Sequence, residues 1–123
     1  MHVFNNNKPL YMQLKEVIEL SILNDLLKPE EAVPSIRILA KDYQINPLTV
    51  TAAIDALVVD GILFTRRGIG TFVSSNAKMR IKEQQLENFK NSELIATLLK
   101  AKSLGMVLQE VENIVNNVYG GKK

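Results

Sequence analysis

The chain of 123 residues contains no cysteine, no tryptophan and a single histidine, His2. Without cysteine there is neither a disulfide framework nor a thiolate metal site, which fits a reducing, cytoplasmic compartment. One histidine supplies neither a His-based triad nor an imidazole cluster, so no enzyme, no metal and no other cofactor is expected. Long apolar runs are missing too. The longest uncharged stretch, Tyr43 to Ile54, holds Asn, Thr and Pro and is too short to span a bilayer. The opening MHVFNNNKPLY lacks the basic and apolar regions of a signal peptide, so neither export nor a membrane partner is expected. An excess of one charge is also absent. Up to Ser75 there are 7 Lys and Arg against 8 Asp and Glu, and beyond it 8 against 5. No basic residue lies between Lys41 and Arg66, so charge by itself neither favours nor excludes a nucleic-acid partner.

What the chain does have is 46% apolar residues, enough for a core, in patterns that change along its length. Pro9 suits the first turn of a helix, and Leu10, Leu14, Val17, Ile18 and Leu26, with Leu20 or Ile22, follow at helical spacing up to a stop before Pro29. Lys28 to Glu31 reads as a turn, and Val33 as a short strand. Pro34-Ser35 opens a second helix with Ile36, Leu39 and Ala40 inward. Asn46 is an expected N-cap with Pro47 at the first helical position, followed by Val50, Ile54, Leu57 and Val58 on one face and Gly61 at the end. Ile62 to Thr65 and Thr71 to Ser74 are strand candidates around an Arg-Arg-Gly-x-Gly loop. Helix, tight turn, helix, hairpin is the layout of a winged helix-turn-helix, whose second helix enters the DNA major groove while the wing lies beside it.

After Ser75 the pattern is purely helical. Met79, Leu86, Phe89, Ile95, Leu98 and Leu99 form an imperfect stripe, Gly105 breaks it, and Val107, Leu108, Val111, Ile114, Val115 and Val118 resume three-and-four spacing. The Gly120-Gly121-Lys122-Lys123 end is expected to be disordered. Two helices of this size cannot form a core of their own. Their apolar faces must pack on another chain or, as the alternative, cap the first domain within a monomer. Leu86, Phe89, Leu98, Leu108, Val111, Val115 and Val118 are the expected dimerisation residues. The predicted fold is mainly α with a small β-wing: a winged helix-turn-helix domain over 1–75 and a C-terminal antiparallel helical hairpin over 76–123.

Ordered matches at Pro9-Leu10-Tyr11, Leu27-Lys28-Pro29, Pro34-Ser35-x-Arg37-x-Leu39-Ala40, Asp60-Gly61-Ile62-Leu63 and Arg66-Arg67-Gly68-x-Gly70-Thr71-Phe72-Val73 carry a resemblance. Together they make the segment similar to the DNA-binding domain of the GntR family of bacterial transcription regulators. The short stretch behind the wing resembles the YtrA-type subgroup, whose two-helix tail serves dimerisation. The larger effector domains of other subgroups do not fit in it. The resemblance implies a homodimeric regulator, a repressor reading a palindromic double-stranded DNA operator, with any small-molecule effector unknown. A helical adaptor that uses the winged helix for protein contact is the alternative.

The resemblance also implies site residues. Arg37 corresponds to the family's arginine on the second helix, placed for a guanine edge or a phosphate. Ser35 and Asn46, at two helix starts, are phosphate donors or plain caps. Thr49 and Thr51 bring hydroxyls to the start of the recognition helix, and an outward Leu48 would meet a thymine methyl. Many relatives carry arginines where Pro47 and Thr51 stand here, which shifts readout toward hydroxyls, shape and the wing. Lys41, Arg66 and Arg67 complete the cationic contacts. Gly68 and Gly70 allow the positive φ of a tight tip and a close backbone approach. Gly68-x-Gly70 leads into a strand and lacks a following Lys-Ser/Thr, so a nucleotide loop is excluded. Asp55 and Asp60, five apart on one helix, read as solvent-facing or cation-paired groups rather than an acid/base pair.

Overall fold

The computed structural model describes residues 4–121, so His2 and the Lys122-Lys123 end lie outside the described residues. The chain divides into two compact units between residues 83 and 84.

The first unit begins with α1 (Leu10–Leu23), which follows Pro9 and buries Gln13, Leu14, Ile18, Glu19 and Ile22 on one side. The helix stops earlier than the apolar spacing suggests. Asn24 caps it, Asp25 turns the chain at a φ of 65°, and Leu26 is left 75% exposed. Gln13 holds the segment before the helix: its Nε2 donates to the Asn5 and Lys8 carbonyls at 2.7 and 2.8 Å, and its Oε1 accepts from the Asn5 N–H at 2.9 Å. The buried amide is thereby fully used.

Helices α2 (Ile36–Tyr43) and α3 (Pro47–Val59) are joined by Gln44, Ile45 and Asn46. Gln44 adopts the left-handed conformation at a φ of 56°, and the Ile45 N–H returns to the Ala40 carbonyl at 3.0 Å, closing the turn without a glycine. Leu39 and Ala40 are buried, but Ile36 is exposed, because the inward face of this short helix covers only its second half. Helix α3 buries Val50, Ala53, Ile54 and Leu57, and Gly61 follows its Asp60 cap at a φ of 77°. Leu14, Val50, Ala53, Leu57, Ile62 and Val73 are fully buried, each larger side chain contributing roughly 1.5 to 3 kcal/mol of burial.

Strands β1 (Leu63–Arg66) and β2 (Gly70–Val73) pair antiparallel, with Leu63 opposite Val73, Phe64 opposite Phe72, Thr65 opposite Thr71 and Arg66 opposite Gly70. Ala32 adds a single bridge to Phe72, and the Val33 N–H donates to the Thr71 carbonyl at 2.8 Å, so the expected strand at Val33 is one bridge long. Helix α4 (Ala77–Phe89) then contributes Ala77 and Ile81, both fully buried, to the same core. For this reason the first compact unit runs past Ser75 to residue 83.

Lys15 on α1 bridges Glu19 and Asp60, each at 3.2 Å, tying α1 to the C-terminal cap of α3. A cation is favourable at that end of a helix dipole. Burial pushes the Glu19 carboxyl up, partly opposed by Lys15. Burial also disfavours the Lys15 charge, but Glu19 and Asp60 outweigh it and its pKa ends above the ordinary lysine value. A folded-state pKa raised above the unfolded one, as at Glu19, gives stability that is present below the carboxylate range and lost as pH rises through it. Removing Lys15 raises Glu19 further. Lys15→Met is therefore expected to cost about 2 kcal/mol at neutral pH and less in mild acid, where Glu19 takes up a proton. Urea midpoints at the two pH values check it.

In the second unit α4 ends, a π-helical turn (Lys90–Leu94) follows, and α5 (Ile95–Ser103) continues the helical backbone. Gly105, at a φ of 92°, lies in the turn before α6 (Leu108–Gly120). Glu110 accepts the Val107 N–H at 3.0 Å and so caps the start of α6. None of the described residues of this unit is buried. Among the described residues no helix is long and apolar enough to cross a membrane.

Candidate nucleic-acid interface

All the residues expected to meet DNA fall in the first unit. On α2, Ser35 is the N-cap, its Oγ accepting the Ile38 N–H at 3.2 Å. The hydroxyl proton stays available to an acceptor. Arg37 follows in the first turn and Lys41 in the last, both exposed. At the start of α3, the Asn46 Oδ1 accepts the Leu48 N–H at 2.7 Å, which leaves its amide NH2 for a phosphate. Pro47 occupies the first helical position, where its missing N–H costs nothing. Leu48 points into solvent at 78% exposure, while Thr49 and Thr51 are half-buried. The Thr51 Oγ1 donates to the Pro47 carbonyl at 3.0 Å, so toward a base this hydroxyl can only accept.

Helix α3 has no basic residue along its length, and its exposed Asp55 would repel phosphate. Positive charge comes instead from α2 and the wing. Among the described residues the side chains of Arg37, Lys41 and Arg67 take part in no ion pair, hydrogen bond or ring contact. Their charges are not spent inside the protein. At the wing tip, Gly68 has a φ of 75° and Gly70 one of 148°, and the Ile69 N–H closes the turn on the Arg66 carbonyl at 2.9 Å. A Cβ added at Gly68 would meet nothing, so the tip is open to an approaching backbone.

By residue type and position Arg66 and Arg67 are alike, and the structure separates them. The Arg66 guanidinium carbon lies 5.6 Å from the ring centres of both Phe64 and Phe72, whose rings stack at 5.7 Å. The hairpin register would have exposed this trio: Phe64 and Arg66 are two apart on one strand, and Phe72 is the cross-strand partner of Phe64. Among the described residues no group of three His, Cys, Asp or Glu is arranged to hold a metal ion. The expected dimerisation residues Leu86, Phe89, Leu98, Leu108, Val111, Val115 and Val118 all lie in the second unit. Val111 is half-buried, and the other six are exposed.

The chain is similar to proteins of known class. The HTH-type transcriptional repressor YtrA of Bacillus subtilis (strain 168) is 33% identical over 122 residues, covering 96% of this chain and 93% of that one. The crystal structure of a transcriptional regulator from Oenococcus oeni superposes with a TM-score of 0.72 at 28% identity, covering 96% of this chain and 97% of that one. The DNA-binding domain of AraR, crystallised with operator ORX1, gives a TM-score of 0.55 at 30% identity over 58% of this chain and 93% of that one. The family and these relatives are transcription regulators, not enzymes. A profile for bacterial regulatory proteins of the gntR family matches residues 10–73, more than half of the chain and all of its winged helix, and the chain belongs to that family of DNA-binding transcription regulators.

Proposed function

We propose that two copies of this chain join through the helices of residues 84–121 and bind a palindromic double-stranded DNA operator, repressing transcription in the cytoplasm by occluding a promoter. The assembly rests on one observation: none of the described residues of the second unit is buried, yet it carries Leu86, Phe89, Leu98, Leu108, Val115 and Val118 as exposed apolar groups. Helices of this length are marginal in water without tertiary packing, so those faces need a partner. A second copy supplies identical faces by symmetry and sets two reading heads at a fixed spacing. The operator complex of the AraR domain and the repressor name of the full-length YtrA relative support the DNA target and the sign of regulation.

In this reading Arg37 meets a base edge, Ser35, Asn46 and Thr49 meet bases or phosphates, Thr51 accepts from a base N–H, and Leu48 packs on a thymine methyl. Lys41, Arg66 and Arg67 then hold phosphates, about six per dimer, so log affinity should fall with log salt at a slope near −5. Fluorescence anisotropy on a duplex from the chain's own upstream region, across a salt series and against a scrambled duplex, measures it. Equal affinity for both duplexes would refute sequence-specific binding.

A further inference from the structure

We propose that the Phe64–Phe72 ring pair is a positioning platform that holds Arg66 pre-ordered for DNA, so that the two wing arginines act differently. This deepens the DNA reading of the wing and rests on it. Phe64, Arg66, Phe72 and Gly70 share one face of the hairpin, while Leu63 and Val73 on the opposite face are buried in the core. The rings are thus borne on strands that the core fixes. Both ring centres lie 5.6 Å from the guanidinium carbon, within the range of cation–π attraction. Gly70, directly opposite Arg66, adds no side chain to this face, and a Cβ there would have only Phe72 Cε1 near it, at 4.0 Å. An arginine held by ring faces spends none of its N–H donors on them, and a side chain already ordered loses less entropy on binding. Arg67, with no such support, must be ordered by the DNA itself.

The test is a double-substitution cycle in the full chain, read as operator affinity. Phe72→Leu keeps an apolar group and should weaken binding roughly two- to fivefold per wing, while Phe72→Tyr, which retains a ring face, should bind as the parent does. In an Arg66→Ala background Phe72→Leu should cost nothing more, whereas in an Arg67→Ala background its full effect should persist. Equal losses with and without Arg66 would overturn the proposal. A second readout needs no DNA: the Arg66 Nε–H proton should be shifted upfield by the ring currents relative to that of Arg67, and Phe72→Leu or Phe64→Leu should remove the shift. The Phe64→Leu variant serves the cycle if Phe72→Leu does not fold. An unshifted Arg66 proton rejects the platform. A shifted proton combined with an Arg66→Ala variant of undiminished affinity instead rejects the wing as a DNA contact, and the proposal falls with it.

Discussion

Arg37→Ala is expected to weaken operator binding by about 1 to 3 kcal/mol at each half-site, and twice that in a symmetric dimer, without changing the stability of the fold. The second half of that expectation comes from the structure: Arg37 is exposed on α2 and its side chain makes no ion pair or hydrogen bond among the described residues, so its removal breaks nothing internal. The first half comes from scarcity. With no cation on α3 and an acidic Asp55 there, few groups other than Arg37 can make a bidentate pair with a guanine. Discrimination should flatten at one base step per half-site, while Arg67→Ala should weaken operator and scrambled duplexes alike and make the salt slope shallower by about one unit per lost contact. Anisotropy titrations with singly substituted operator duplexes separate the two. Should Arg37→Ala lower affinity for every duplex by the same factor, Arg37 holds a phosphate and the base-reading assignment is wrong.

The parts of the fold that rest on local chemistry were legible in the sequence. Asn46-Pro47 announces a cap and a first turn, Gly61 a left-handed stop, and the glycines at 68 and 70 a hairpin tip, because each reflects a backbone requirement that its own residue type meets. Features that depend on a distant partner were not. Leu26 matched a helical period that the chain abandons at Asn24, and Ile36 shares a face that has nothing to cover it. The same limit hid the Lys15 bridge to Asp60, which lies beyond α2 and at the far end of α3, whereas Glu19 is four residues along the same helix. In the candidate interface, residue types pointed to Arg37 and the wing arginines. The ring support beneath Arg66 needs the strand register, which the spacing of glycines only implies.

The second large effect concerns where the chain can be cut. A chain ending at Ser75 loses Ala77 and Ile81, both fully buried in the first unit, and should be destabilised by several kcal/mol, on the order of a large-to-small core substitution or more. Its failure to bind DNA would say nothing about assembly. A chain ending at Glu83 keeps both residues and removes only the unit in which no described residue is buried, so it should fold, sediment as a monomer and occupy each half-site independently. Losing the link between two reading heads removes their effective-concentration advantage, and operator affinity should fall by roughly a hundredfold to ten-thousandfold while the contacts at one half-site stay unchanged. A single charge should do much the same: Val115 is half exposed in the lone chain, so Val115→Glu is harmless to the protomer but places a carboxylate inside an apolar interface. Sedimentation velocity over a concentration series, run beside the anisotropy titrations, connects the two quantities. If the full chain and the chain ending at Glu83 showed the same association state, residues 84–121 would not be the dimer interface, and their exposed apolar faces would have to be covered by something other than a second copy.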